Sequence, residues 1–417
     1  MHRVRDFTDA RRRAAAVLAR VDAEGAHAAR LLTAASAFER ELVLGSLRWQ
    51  RVLDELLGRH LRQPLAAADA EVRAVLRVAL YEALRLDTPR AVAVSEAVRV
   101  ARALAPRAHG LVNAVLRRAA GATWPAPDDE SVPLALRFSH PEWLVARWLR
   151  GLGEGATRAA LAANQEPAPL CLLAVTADTP ALTAAGCRLE PHARVPGILV
   201  AHGDAAPVVA ALRAGTAYAL DPTAAAVARL VPATTGIVAD LAAAPGGKAL
   251  VLACERPHLL VLAADRHLGR ARLLRRTLAR AGTPVLVADA LAPALRARSL
   301  GAVLLDAPCS GTGTLRRHPE IRWRLREADL ARLAARQRTL ATAAAELVAP
   351  GGCLLYATCS LEPEENAGVV AGLGLEVVPL AHELAAELPR IELASGGVLI
   401  PPDALGDGFT VHLLRRT

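Results

Sequence analysis

The chain has 417 residues, of which 53% are hydrophobic and 22% charged, with a formal net charge of +9. This composition excludes a disordered chain and is enough for two or three folded domains. The positive balance favours polyanions as partners, but Lys248 is the only lysine, so an arginine-biased proteome explains part of the charge. The basic start carries an apolar stretch, residues 14–19, too short for a signal-peptide core, and no apolar run approaches a membrane span. Residues 9–150 read as helical throughout. Apolar residues recur at helical spacing in Val52, Leu53, Leu56 and Leu57, and again in Val72, Val75, Leu76, Ala79 and Leu80. The spacing predicts a compact all-α bundle over residues 1–135. Residues 121–135, GATWPAPDDESVPLA, read as a linker, and 139–165 return to helix. Residues 167–220 alternate short apolar runs with Pro and Gly. The stretch 136–217 is therefore expected to hold linker helices and a small α+β module.

From residue 218 the rhythm changes to strand, helix, strand, helix. Strands are expected at 236–241, 258–264, 284–288, 301–306, 352–357, 374–380 and 408–415, with helices over 266–281 and 327–348. Such alternation implies an α/β domain over 218–417 with a mostly parallel, Rossmann-like, doubly wound sheet. Ligands of that fold bind beyond the carboxyl ends of the strands.

Three groups of residues stand at those ends. The turn Ala242-Ala243-Ala244-Pro245-Gly246-Gly247-Lys248 lies between a strand and a helix, where backbone N–H groups can hold an anionic ligand group. It lacks GxGxxG and GxxxxGK[ST], so neither a dinucleotide nor a nucleoside triphosphate is indicated. Asp265 ends the second strand, 25 positions after Asp240, and Asp289 closes the third. Such acids suit ribose hydroxyls and an adenine amino group. Asp306 and Cys309 follow the fourth strand in DAPCSGTG, and Cys359 follows the fifth in YATCS. If those strands are neighbours, both thiols face one crevice. Cys171, Cys187, Cys254 and Cys353 suit buried or inert positions better. No CxxC pair occurs, no metal is expected, and the scattered cysteines fit a reduced, cytoplasmic protein. The segment RRHPEIRWR, residues 316–324, is a candidate for gripping phosphates and stacking a base. The spacing alone does not choose which of Cys309 and Cys359 is the nucleophile.

These residues carry a resemblance. Residues 218–417 resemble the catalytic domain of RNA cytosine C5-methyltransferases that use S-adenosylmethionine, through AAAPGGK, DAPCSGTG followed by RRHPEIRW, YATCSLEPEEN and the late stretch GDGF. Residues 9–150 resemble the NusB-like RNA-binding domain at the front of one branch, through GSLRW, ALYEALRLDTPRAVAVSEAV and GLVNAVLRR. Together they point to the RsmB (Fmu/Sun) type, which acts on 16S ribosomal RNA. Ala242 and Ala249 stand where the family often has Cys and Thr, and LDPT at 220–223 replaces a more usual stretch.

The resemblance implies a chemistry. Cys359 is the nucleophile at cytosine C6, Cys309 aids release of the product, Asp306 acts at N3, and Lys248 steadies the same ring edge or lowers a thiol pKa. The turn 242–248 with Asp265, Asp289 and Asp306 would bind S-adenosylmethionine. The expected partner is ribosomal RNA, with no membrane, and the protein is expected to be a monomer. Two rivals are the same chemistry on transfer RNA or another ribosomal site, and a non-catalytic RNA-binding assembly factor.

Overall fold

The computed structural model describes residues 2–176, 179–232, 236–380 and 388–417, with side chains from residue 7 onward. The chain divides into two compact units, Met1–Glu166 with Leu315–Leu325, and Pro167–Thr314 with Arg326–Thr417. Among the described residues, no helix is long and apolar enough to cross a membrane.

The first unit is all helical, with long helices at His2–Glu24, Ala37–Arg48, Ala70–Arg85, Arg90–Leu104, His109–Ala119 and Glu142–Ala163. Local chemistry sets several boundaries. Ser36 caps the second of these by accepting from the Glu39 N–H. Pro89 precedes the fourth, and Pro106 stands just beyond its end. The apolar stripes read from the sequence are the core: Val52, Leu53, Leu56, Leu57, Val75, Leu76 and Leu80 are all buried together. The glycine of GSLRW has a packing reason, because a Cβ at Gly45 would lie 2.1 Å from the Tyr81 ring. The last helix breaks its course at Gly153, which has φ 78 and ψ 170.

Residues Leu315–Leu325 belong to this helical unit, and here the structure corrects one expectation. Arg322 is buried and donates to the carbonyls of Arg48 at 2.9 Å, Ser139 at 3.2 Å and Asn164 at 2.6 Å. Trp323 donates its indole N–H to the Leu47 carbonyl at 2.7 Å. Arg316 is buried as well. A guanidinium that satisfies three helix-end carbonyls is not free to grip phosphate. RRHPEIRWR is therefore largely a structural insert.

The second unit begins with a four-stranded antiparallel sheet: β1 (Leu170–Ala174), β2 (Cys187–Pro191), β3 (Ile198–Gly203) and β4 (Ala217–Ala219), in the order β2-β3-β1-β4. The larger sheet follows. Its strands are β5 (Ile237–Asp240), β6 (Leu260–Asp265), β7 (Val285–Val287), β8 (Leu300–Asp306), β9 (Val348–Thr358), β10 (Glu376–Val378), β11 (Ile391–Glu392), β12 (Val398–Ile400) and β13 (Phe409–Arg415). The order is β11-β12-β13-β9-β8-β5-β6-β7, with β10 also on β13. Strands β7-β6-β5-β8-β9 are parallel, and everything beyond β9 is antiparallel. The central strands read as continuous apolar runs because both faces are covered. In β8, Ala302 and Leu304 enter one core while Val303 and Leu305 enter the other; β9 does the same with Leu355 against Leu354 and Tyr356. Sequence reading missed β11 and β12, which at two and three residues are too short to show a period.

The helix before β5 shows how LDPT works. Asp221 caps Pro222–Arg229 by accepting from the N–H groups of Thr223 and Ala224, and Pro222 supplies a preset first turn.

Candidate active site

Chain order reverses between β5 and β8, so the crevice at their carboxyl ends is the topological switch point. A cleft of about 440 Å³ opens there. Its lining includes Ala242, Ala244, Asp265, Asp289, Asp306, Cys309 and Cys359. The expected residues do not all reach it. Gly246 and Gly247 start the helix Gly247–Glu255 and are closely packed there. A Cβ at Gly246, where φ is 114, would lie 2.9 Å from Leu274, and one at Gly247 2.6 Å from Leu220. Ala243 is buried behind the turn, its N–H bonded to the Ala264 carbonyl, and Pro245 is exposed away from the lining.

The two acids of this half differ. Asp265 is buried; it accepts from the His267 N–H at 2.9 Å and pairs with Arg270 at 3.1 Å. Asp289 is exposed, lies two residues past β7, and caps a turn by accepting from the Leu291 N–H. Arg270 also donates to the Ala244 carbonyl at 2.6 Å, tying the turn to Asp265. Arg270, one of four arginines on the helix Leu268–Leu278, carried no sequence signal beyond its charge. Arg336 lines the cleft too and carried no sequence signal beyond its charge.

The other half holds the sulfur chemistry. Strands β8 and β9 are adjacent, with Asp306 opposite Ala357. The Cys309 and Cys359 sulfurs lie 3.3 Å apart, and both thiols are half-buried. Lys248 Nζ donates to Asp306 Oδ2 at 2.7 Å and lies 4.7 Å from the centre of the Phe409 ring. Burial alone pulls the Lys248 ammonium down, but Asp306, then Cys359 and Asp240, outweigh it and hold its pKa above the ordinary value. The hydrogen bond with Cys359, then burial, pushes the Cys309 thiol well above its ordinary range. Asp240 lies fully buried behind this group; burial first, and Asp306 second, raise it to about 7.

A buried carboxylate ties the two cysteine loops together. Glu365 accepts from the Ser310 N–H at 2.8 Å, the Gln337 amide at 2.8 Å and the Ser360 hydroxyl. Gln337 holds the Pro308 carbonyl as well, at 3.0 Å. Each thiol is thus flanked by a residue bonded to the same carboxylate. Main chain completes the clamp: Gly313 N–H bonds the Cys359 carbonyl at 2.9 Å, and Gly408 N–H bonds the Gly313 carbonyl at 2.8 Å. A Cβ at Gly313 would fall 2.2 Å from the Gly408 carbonyl oxygen, which explains why DAPCSGTG and GDGF both carry glycine. Sequence reading quoted YATCSLEPEEN without seeing this role for Glu365.

Comparison with known proteins now bears on the site. Residues 227–414 match the family model described as 16S rRNA methyltransferase RsmB/F, and residues 8–121 match the NusB family. The ribosomal RNA small subunit methyltransferase B of Thermus thermophilus is 36% identical over 388 residues, covering 91% of this chain and 88% of that protein. The chain belongs to the RsmB/F methyltransferase family. The Erwinia tasmaniensis protein of the same name is 32% identical, covering 90% of this chain and 89% of its own. The crystal structure of PH0851 superposes with a TM-score of 0.78 at 26% identity, over 98% of this chain and 99% of that one. NSun6 from Pyrococcus horikoshii with SFG shares the fold at a TM-score of 0.56 and 17% identity, over 66% of this chain and 98% of that one. As an RsmB/F member with a NusB-type front, the chain is an S-adenosylmethionine-dependent methyltransferase. Among the described residues, no group of three or more His, Cys, Asp or Glu side chains is placed to hold a metal ion.

Proposed function

We propose that this chain methylates C5 of a cytosine in 16S ribosomal RNA through a covalent Cys359–C6 adduct. The observation that carries the proposal is the thiol pair 3.3 Å apart beside the Lys248–Asp306 ion pair. Residues 218–417 carry the chemistry, 136–217 brace and link, and 1–135 hold RNA, in the cytoplasm and as a monomer. The names of the relatives, methyltransferases of small-subunit ribosomal RNA, support the substrate.

The cleft suits the methyl donor. Carboxylates at Asp265 and Asp289 accept hydroxyl and amino donors, and Leu241, Ala290 and Leu291 offer apolar faces to a purine. Asp265 and Asp289 would hold the nucleoside, and the main chain at Ala242 and Ala244 its amino-acid end. When bound, S-adenosylmethionine supplies an electrophilic methyl group to C5.

Cytosine C5 is a weak nucleophile until C6 is saturated. Cys359 Sγ forms the bond to C6, and the displaced electron pair moves through C5 and C4 to N3. A proton from the Lys248 ammonium, relayed through Asp306, reaches N3 and neutralises the developing charge. After methylation the C5 proton is lost to solvent, the S–C6 bond breaks and the Cys359 thiolate returns. Cys359 takes the nucleophile's role by resemblance to the family, and the Cys309 thiol, its pKa raised by its hydrogen bond with Cys359 and by burial, lies against it. Cys309, held against the departing sulfur, assists the release. The target base must leave its stack to reach the thiol.

Bisulfite sequencing of ribosomal RNA from a deletion strain tests this reading. One missing 16S 5-methylcytosine is expected, restored by the wild-type gene. An unchanged 16S map with a lost transfer RNA site would move the substrate to transfer RNA.

A further inference from the structure

The two sulfurs of the cleft lie 3.3 Å apart, and the chain holds them there from several directions. Ser310 and Ser360, the residues after each cysteine, share a hydrogen bond at 3.1 Å, and both reach Glu365. Gln337 fixes Pro308, the residue before Cys309, by its carbonyl at 3.0 Å. The Cys359 carbonyl takes the Gly313 N–H at 2.9 Å, which ties the second cysteine to the loop that carries the first. With Asp306 opposite Ala357 in the ladder, the cysteines follow just beyond the ends of adjacent parallel strands. A buried network this well satisfied rigidifies what it joins, so the sulfurs have little room to part.

A disulfide has a sulfur–sulfur bond of about 2.05 Å, so about 1.3 Å of closure joins this pair, within reach of side-chain rotation. Both thiols are half-buried and line the open cleft, where a small oxidant can reach them. The other cysteines stand differently. Cys171, Cys187 and Cys353 are buried, and Cys254 is exposed on the helix Gly247–Glu255. If exposure alone set reactivity, Cys254 would oxidise first. Oxidation that can be reversed needs more than exposure: an attacking thiolate and a second thiol poised to resolve it. Cys359 is the attacking thiolate of the reaction proposed above, and Cys309 is the thiol in contact with it.

We propose that Cys309 and Cys359 are a reversible oxidation site, at which a hydroperoxide drives them into a disulfide that stops methyl transfer. The Cys359 thiolate attacks one oxygen of hydrogen peroxide. The O–O bond breaks, hydroxide leaves and is protonated to water, and the sulfur is oxidised by two electrons to a sulfenic acid. Cys309 then attacks that sulfur. Its proton goes to the departing hydroxide, the S–O bond breaks, the S–S bond forms and a second water leaves. Two thiols and one hydrogen peroxide thus give one disulfide and two waters. The Cys309 proton is held first by its hydrogen bond with Cys359, and oxidation of Cys359 removes that partner. A dithiol reductant reverses the step by thiol–disulfide exchange, so in a reducing compartment the cross-link is transient. The loss of methyl transfer rests on the function proposed above; the cross-link itself does not.

The test treats the full chain, reduced and then freed of reductant, with about one equivalent of hydrogen peroxide, and reads intact mass, free thiols and a non-reducing peptide map. The mass is expected to fall by about 2 Da and the free thiols by two from six, with the peptide bearing Cys309 joined to that bearing Cys359. Methyl transfer to 16S RNA should fall at least about tenfold and return with dithiothreitol. Cys254→Ala should oxidise and recover like wild type. In Cys309→Ala the sulfenic acid has no resolving thiol, so dimedone should label Cys359 there and leave wild type unlabelled. Equal dimedone labelling of the two proteins would overturn the proposal. So would a gain of about 32 Da on Cys359 without a cross-link, or protection from peroxide by Cys254→Ala. If the cross-link forms as described but the reduced protein methylates no cytosine, the oxidation site stands and the reaction assigned above fails.

Discussion

At the ends of β5 and β6 the cleft is shaped by main chain: a tight turn, two closely packed glycines and a carbonyl held by Arg270. At the ends of β8 and β9 it is shaped by buried side chains converging on Glu365. The two buried acids show the contrast. Glu365 has both oxygens engaged, whereas Asp240 leaves Oδ1 without a hydrogen-bond partner in the structure and holds its proton to about 7. A half made of backbone tolerates changes of side chain. A half made of side chains has fewer substitutes, because each buried donor there counts on one partner.

The largest effect should come from the thiol half. Cys359→Ala is expected to lower methyl incorporation into 16S RNA below about a thousandth of wild type, with S-adenosylmethionine affinity kept. Residual turnover near the wild-type rate would remove Cys359 from the reaction. Next comes Glu365→Ala, which strands the Ser310 N–H, the Gln337 amide and the Ser360 hydroxyl. We expect a loss on the order of 3 kcal/mol in urea unfolding, with Glu365→Gln milder. In both variants kcat should fall while the affinity for S-adenosylmethionine holds. A loss of cofactor affinity in step with kcat would mean that the clamp supports the whole cleft rather than the thiols.

Asp240 gives a smaller and pH-dependent effect. Its folded pKa of about 7 lies above the unfolded value of about 3.9, so the folded chain holds this proton more tightly. Its contribution is most favourable below pH 4 and is lost as pH rises toward 7. Asp240→Asn has no such proton, so relative to wild type it should gain stability from pH 4 to 7, by less than the full linkage of about 4 kcal/mol. Thermal melts of both proteins at several pH values measure this, and parallel curves would contradict it. The smallest effect belongs to the backbone half: Ala242→Cys is expected to shift stability by less than about 0.5 kcal/mol and leave cofactor affinity essentially unchanged. A tenfold loss of affinity there would erase the distinction between the two halves.

Legibility in the sequence followed the same division. Strands buried on both faces announced themselves as apolar runs, and helical stripes such as Val72 to Leu80 marked the bundle core. The acids, the thiols and the glycine turn could be placed because each follows such a run. What stayed hidden depended on contacts distant in sequence. Glu365 reaches Ser310 across 55 positions, Arg270 reaches Ala244 across 26, and Arg322 reaches Arg48 across 274. RRHPEIRW looked like a substrate loop because exposure cannot be read from a basic aromatic segment; three buried carbonyls claimed its arginine. Strands β11 and β12 were too short to carry a pattern.

The central claim is that Cys359 bonds to the target base while Cys309 serves its release. The most direct measurement is to incubate Cys309→Ala with 16S RNA and S-adenosylmethionine, isolate the protein–RNA adduct, digest it and locate the nucleotide by mass spectrometry. A cytosine derivative on the peptide bearing Cys359 is the expected result. An adduct formed equally well by Cys359→Ala, with the nucleotide on Cys309, would contradict the account.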